Sequence, residues 1–230
     1  MSRRFALYEF FAGGGMARLG LGPRWQCTFA NDICAKKAAA YRENFSPASE
    51  LLVRDIAKVK AQDLPGHADL AWASFPCQDL SLAGAGAGLD GARNGTFWPF
   101  LKLIQNLRKE DRAPRVVVLE NVPGALTSHA GEDFAAIFHA LVMVGYRVGP
   151  MVIDSIHFLP QSRARLFVVA VEIKRDIPDS LCASGASKPW HTRSIQDAYA
   201  RLSPHYRQRW IWWRLPPPSA SNAYEDTIPA

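Results

Sequence analysis

The chain has 230 residues, 48% of them hydrophobic and 21% charged, with a formal net charge of +6 and a pI near 9.3. These proportions fit a globular domain that buries its own core, exclude disordered and fibrous classes, and make a polyanion a natural partner. No run reaches the roughly 20 apolar residues that span a bilayer. The four cysteines (Cys27, Cys34, Cys77, Cys182) include no Cys-x-x-Cys pair and His67, His129 and His139 lack ligand spacing, so free thiols and no metal are expected.

After Met1-Ser2-Arg3-Arg4 a short apolar stretch runs straight into a glycine-rich turn, which is not the pattern of a signal peptide; the expected location is cytoplasmic, on the nucleoid if the source is bacterial. Phe5 to Phe11 reads as a buried strand, Met16 to Leu21 as the opening of a helix, and Gln26 to Ala30 as a second strand. A helix follows over Ile33 to Asn44, then a short strand Leu51 to Val53. Ala68 to Ala73 is the strand before Cys77. Thr96 to Arg108 is an amphipathic helix with Phe97, Phe100, Leu101, Ile104 and Leu107 on one stripe. Val116 to Leu119 is a β-branched buried strand, Phe134 to Val144 a helix, and Tyr146 to Ile153 and Leu166 to Val171 two further strands. Such alternation predicts an α/β, Rossmann-like fold whose mainly parallel sheet is covered on both faces.

Two domains are expected: a catalytic and cofactor-binding unit over 1–175, and an irregular Pro/Trp/Arg-rich tail over 176–230. In the tail, prolines leave one helix, Ser194 to Leu202. Arg207, Arg209 and Arg214 surround Trp210, Trp212 and Trp213, a mixture that suits either nucleic-acid contact or packing of the tail onto the core, with packing the favoured reading.

Chemistry-bearing residues recur at the expected carboxyl ends of strands, where open α/β sheets hold their ligands. Phe10-Phe11-Ala12-Gly13-Gly14-Gly15 is a strand entering a turn that lets backbone approach a ligand, although Arg18 occupies the third glycine position of a dinucleotide fingerprint. Asp32, after the second strand, suits ribose hydroxyls or a helix N-cap, and Asp55, after the third, suits an adenine amino group. Cys77 follows Pro76 on a rigid turn, the mount a nucleophile needs, while a buried free thiol is the bland alternative. Glu120 closes the Val116 strand on the same edge. There a poorly solvated carboxylate would hold a proton near neutral pH, or would simply pair with an arginine. Arg163 and Arg165 stand at i and i+2, so their side chains point the same way.

Taken together, the Phe-Ala-Gly-Gly-Gly turn, Phe75-Pro76-Cys77-Gln78 with Ser81, Glu120-Asn121-Val122, and Gln161-x-Arg163-x-Arg165 resemble, in order, the motifs of the DNA cytosine-5 methyltransferases over residues 5 to 172. The resemblance implies S-adenosyl-L-methionine as cofactor, with S-adenosyl-L-homocysteine as product, and double-stranded DNA as partner with the target cytosine flipped out. It implies Cys77 as nucleophile, Glu120 at the cytosine ring nitrogen, and Arg163 and Arg165 supporting the base. By the same resemblance Phe11, Ala12, Gly13, Gly15, Asp32, Ile33, Asp55, Ile56, Phe75 and Pro76 line the cofactor site, and Gln78, Ser81, Arg93, Asn121 and Gln161 contact substrate. Met16, Glu9 and Ser74 depart from the family's usual residues. The family's target-recognition region and last two motifs are not found, which suggests the catalytic subunit of a split enzyme, a fragment or a degenerate copy. A tRNA cytosine methyltransferase and a non-catalytic cofactor- or DNA-binding subunit are the alternative readings.

Overall fold

A computed structural model describes residues 4–76 and 95–216. Seven strands form one sheet: β1 (Phe5–Phe10), β2 (Trp25–Asp32), β3 (Leu51–Val53), β4 (Leu70–Ala73), β5 (Val116–Asn121), β6 (Tyr146–Asp154) and β7 (Ala164–Glu172), in the spatial order β3-β2-β1-β4-β5-β7-β6. β1 to β5 run parallel, and β7 is inserted antiparallel between β5 and β6. The parallel part therefore meets the expectation. The antiparallel insertion was not foreseen, because hydrophobic runs carry no information on direction. The order reverses between β1 and β4, so the crevice that such a reversal opens lies beyond Phe10 and Ala73.

Alternation along the strands sends side chains to two different cores. Tyr8, Phe10, Ala71, Ala73, Val117, Leu119, Val168 and Ala170 face the larger one. It is roofed by α3 (Phe97–Lys109) and α4 (Glu132–Met143). The stripe expected on α3 is buried in full, and Leu103 joins it. Leu7, Cys27, Ala30, Leu70 and Val118 face the opposite side, toward α2 (Ala35–Asn44), where Tyr41 is buried. On that side α1 (Met16–Leu21) buries none of its six residues.

In the tail expected over 176–230, the helix expected at Ser194 to Leu202 is α5 (Arg193–Arg201); a short α6 (Pro204–Arg207) follows it, and the chain then runs along the free edge of β6. Val148 N–H donates to the Arg209 carbonyl (2.8 Å), and Ile211 N–H donates to that of Val148 (2.9 Å). Gly149 is what allows this approach. A Cβ there would sit 2.4 Å from both the Ile211 carbonyl oxygen and the Trp213 indole nitrogen, and that indole donates to the Gly149 carbonyl at 3.0 Å. Trp210 packs against Phe134, Phe138 and Tyr199 inside the larger core. Trp213 lies on the other side with Met151, Val171 and Ile211. Both tryptophans thus clamp the sheet edge and are withdrawn from the surface.

Candidate active site

At the reversal point the chain after β1 makes a turn that passes through the left-handed region of the backbone. Phe11, Gly13 and Gly15 all have positive φ (55°, 56° and 82°). A Cβ on Gly15 would also lie 2.2 Å from the Phe45 ring. The turn is fastened to β2: Ala12 N–H donates to the Asn31 carbonyl (2.9 Å), and Gly13 N–H to Asp32 Oδ2 (2.9 Å). Asp32 Oδ1 accepts the Cys34 N–H at 2.8 Å. Buried and bonded at both oxygens, Asp32 staples the glycine turn to the end of β2; the N-cap position of α2 falls to Cys34 instead. Asp55 accepts the Ala57 N–H (2.9 Å) and caps a short turn that buries Ile56 in the core. Ile33 is exposed at 66% beside Asp32.

The turn opens on a cleft of about 710 Å³, a size usual for sites that hold small ligands. Phe11, Ala12 and Gly13 line it from one side, Glu120 and Arg163 from the other. Gly15, Phe75 and Ile56 instead sit in packing, and Asp32, Ile33, Asp55 and Pro76 are not part of its lining. Sequence reading missed Trp72, Ser74 and Phe167, which complete the wall, and Glu9, which forms part of the floor. The signal for Glu9 was present: it is the one charge in the otherwise apolar strand Phe5–Phe10.

Glu120 leaves β5 opposite Phe167 of β7, and its Oε1 lies 3.0 Å from Arg165 Nε. The poorly solvated carboxylate expected from four preceding apolar residues is therefore an ion pair, with the two side chains 25% and 22% exposed. The reason is β7, which brings a cation that local sequence cannot reveal. Arg163, exposed, stands on the same side, and Gln161 is exposed beside it. Asp154 sets this segment: Oδ1 accepts the Ile156 (3.0 Å) and Arg163 (2.7 Å) N–H groups, and Oδ2 accepts the Ser162 hydroxyl (2.9 Å). The Ile156 bond above all holds the Asp154 carboxyl below the usual carboxylate range. Asn121 is buried and reaches in the other direction, donating from Nδ2 to the Phe75 carbonyl (3.1 Å). It thereby anchors the start of Phe75-Pro76 to the end of β5. Cys77, Gln78, Ser81 and Arg93 lie outside the described residues.

A family model for C-5 cytosine-specific DNA methylases matches residues 5–208. The chain belongs to that family. Among its curated relatives, the type II methyltransferase M.NgoBI of Neisseria gonorrhoeae is 31% identical over 164 residues, covering 70% of this chain and 49% of that protein. M.MspI of a Moraxella species is 33% identical over 172 residues, covering 74% of this chain and 39% of that one. This methylase-family chain thus spans about half or less of the length of these relatives. Its fold recurs in an E. coli prophage-encoded chain described as a DNA modification methyltransferase (TM-score 0.59, 24% identity, 80% of this chain and 52% of that one). It recurs too in the Dnmt2 methyltransferase of S. pombe (TM-score 0.56, 21% identity, 76% and 51%).

Proposed function

We propose that this chain is the catalytic portion of a DNA cytosine-5 methyltransferase that uses S-adenosyl-L-methionine. The observation that carries the reading is the meeting, around one cleft at the sheet's reversal point, of the Phe11–Gly13 turn with the Glu120–Arg165 pair and Arg163. The residues present fit the cofactor. The cleft is large enough, backbone comes close at the glycine turn, and Glu9, one of the lining residues, has a buried oxygen, Oε2, without a hydrogen-bond partner. When bound, that cofactor supplies an electrophilic methyl group on a sulfonium.

Carbon 5 of cytosine is a weak nucleophile, and the remedy is a thiolate. Cys77 adds at carbon 6, and the displaced electron pair makes carbon 5 nucleophilic. Glu120, held by Arg165, engages ring nitrogen 3 where charge develops. Carbon 5 then takes the methyl group; a base removes the proton from that carbon, and the carbon–sulfur bond breaks to restore both thiolate and aromatic ring. The reacting carbons are unreachable inside stacked DNA, so the base is flipped into the cleft, with Arg163 and Arg165 supporting it, Gln78, Ser81, Arg93 and Gln161 around the substrate, and Asn121 holding the Phe75-Pro76 segment that precedes Cys77. Asp55 serves the nucleoside end of the cofactor, with Ile33 and Pro76 in its surroundings, while Asp32, bonded at both oxygens, holds the glycine turn on which it rests. The enzyme works in the cytoplasm on nucleoid DNA, with a second polypeptide as partner.

The test is transfer of tritiated methyl groups to duplex DNA by the purified chain, alone and with candidate partner polypeptides. Transfer that requires a partner and is lost in Cys77→Ser supports the proposal. Turnover by Cys77→Ser defeats the covalent route, and robust site-specific transfer by the chain alone defeats the need for a partner.

A further inference from the structure

The opposite edge of the sheet carries a second concavity, which the methyl-transfer chemistry leaves unused. There His67, Arg108, Asp111, Glu172, Lys174 and Arg175 surround a pocket of about 460 Å³. Glu172 ends β7 and Arg165 stands near its start, so this pocket lies roughly 20 Å from the cleft. Its charged side chains are three cations and two carboxylates.

Three segments build the walls, and each is fixed. Arg112 donates to the carbonyls of Ala61 (3.0 Å), Leu64 (2.8 Å) and Gly66 (2.8 Å), which sets the loop that carries His67. Asp111, at φ 56°, is the left-handed residue just past α3, and its N–H donates to the Arg108 carbonyl (3.1 Å). The turn after β7 is closed by the Arg175 N–H on the Glu172 carbonyl (2.9 Å) and tied to Gly145 by the Ile173 N–H (3.0 Å). Arg147 donates to the Arg175 carbonyl and braces the same turn.

Within this frame the cations are under-bonded. Glu172 is shared between Arg108 and Arg175 at 3.4 and 3.6 Å, whereas the separate pairs Arg115–Asp69 and Arg165–Glu120 close to 2.9 and 3.0 Å. Packing holds Arg108 in place: its guanidinium lies 5.2 Å from the centre of the Tyr146 ring and against Gly145, where a Cβ would come within 3.1 Å of it. Arg108 Nε is buried without a partner, and Nη2 reaches the Gly145 carbonyl only at 3.5 Å. Lys174 is exposed and has no partner among the described residues. A positioned guanidinium and a free ammonium with donors to spare call for an acceptor brought by a ligand.

A carboxylate ligand would bring one charge, no more than Glu172 already supplies. A phosphate monoester brings about two charges and three terminal oxygens, which guanidinium forks and a lysine are suited to hold. Walls on three sides admit the end of a molecule in preference to the middle of a polymer strand. We infer that this pocket binds the phosphate monoester of a sugar or nucleoside, with the phosphate on Arg108, Lys174 and Arg175 and a hydroxyl donating to Asp111. His67 supplies a further N–H donor in any of its protonation states. The phosphate comes from a free nucleotide or from the 5′-phosphorylated end of a nucleic acid.

The experiment is an amide-resolved NMR titration of the full chain at matched ionic strength, so that screening is constant. The probes are thymidine 5′-monophosphate, thymidine, and one oligonucleotide with and without a 5′-phosphate. Thymidine 5′-monophosphate is expected to shift the amides of His67, Asp111 and residues 173–175 saturably, and thymidine is expected to leave them in place. Lys174→Gln, at an exposed and unpaired position that folding does not depend on, weakens the nucleotide at least fivefold. Lys36→Gln removes the same charge from an exposed position on α2 and leaves the affinity within twofold. A 5′-phosphorylated oligonucleotide that moves these amides at lower concentration than the nucleotide identifies a nucleic-acid end as the source; a response to the mononucleotide alone identifies a free nucleotide. Absence of saturable shifts at these amides with every phosphorylated probe overturns the inference. Equal shifts with thymidine, or equal weakening by the two lysine variants, overturn it as well, since neither needs a phosphate held at this place.

Discussion

Arg165 reaches across from β7 to place its Nε 3.0 Å from Glu120 Oε1 on β5, joining residues 45 positions apart in sequence. The pair orients a carboxylate at the cleft and keeps a guanidinium beside it. Because both side chains are about a quarter exposed, removing Arg165 is expected to cost less than about 1 kcal/mol of stability. Its effect on chemistry is larger. Arg165→Leu is expected to lower methyl transfer by about 100-fold or more while S-adenosyl-L-homocysteine affinity stays within about threefold. Arg165→Lys keeps the charge but loses the planar fork and falls between. Wild-type turnover by Arg165→Leu would reduce the pair to a latch between two strands.

Asp32 separates two roles. If it staples the glycine turn, Asp32→Ala leaves the part-buried Gly13 and Cys34 amides without acceptors and costs about 1–3 kcal/mol in urea unfolding, together with cofactor affinity. Asp32→Asn, which keeps one accepting oxygen, loses roughly half as much. Lost affinity with unchanged stability in the alanine variant would mean that Asp32 serves the ligand and not the turn.

Gly149 tests how the segment beyond residue 176 is held. In Gly149→Ala the new methyl would meet the Ile211 carbonyl and the Trp213 ring, so the edge segment must shift, at about 1–3 kcal/mol. Tryptophan emission should move to the red, and limited proteolysis should begin between Glu172 and Trp190. Unchanged protection would show that the clamp tolerates the methyl group and that the close approach is not what fixes it.

Glu9 also makes stability depend on pH. Its folded value, about 7, lies above the ordinary 4.5, so between those two values the folded chain binds more protons than the unfolded one and stability falls as pH rises through that window. The loss approaches about 3 kcal/mol once Glu9 is ionised. Glu9→Gln is expected to flatten this dependence, melting nearer to wild type at pH 5 and above it at pH 8 in the absence of ligand. Parallel melting curves at the two pH values would show that the carboxylate is solvated well enough to ionise without penalty.

Much of the architecture was legible because strand and helix periodicities are local. The α3 stripe from Phe97 to Leu107, the β-branched run Val116 to Leu119 and the turn after Phe11 each follow from residues within a few positions of one another. Glu120, Arg163 and Phe11 were placed at strand ends by the same reasoning, and they do meet around one cleft. The insertion of β7 between β5 and β6 was not legible, since an apolar run states that a strand is buried and not which neighbour it pairs with.

The amino-acid sequence by itself determined the order of elements, the glycines that the turn requires and the identity of the residues carried to the carboxyl edge. Only the tertiary structure decided what those residues touch. Glu120 acquired a guanidinium because β7 runs antiparallel beside β5, Asp32 became a staple because the turn folds back over β2, and Trp210 entered the core because the chain returns along β6. Glu9 was left with one unpartnered oxygen because Arg18, nine residues on, is drawn to Glu50 and Tyr41. Each of these outcomes depends on distance through space and on the loss of water at the point of contact, and neither quantity is written in the spacing of residues along the chain.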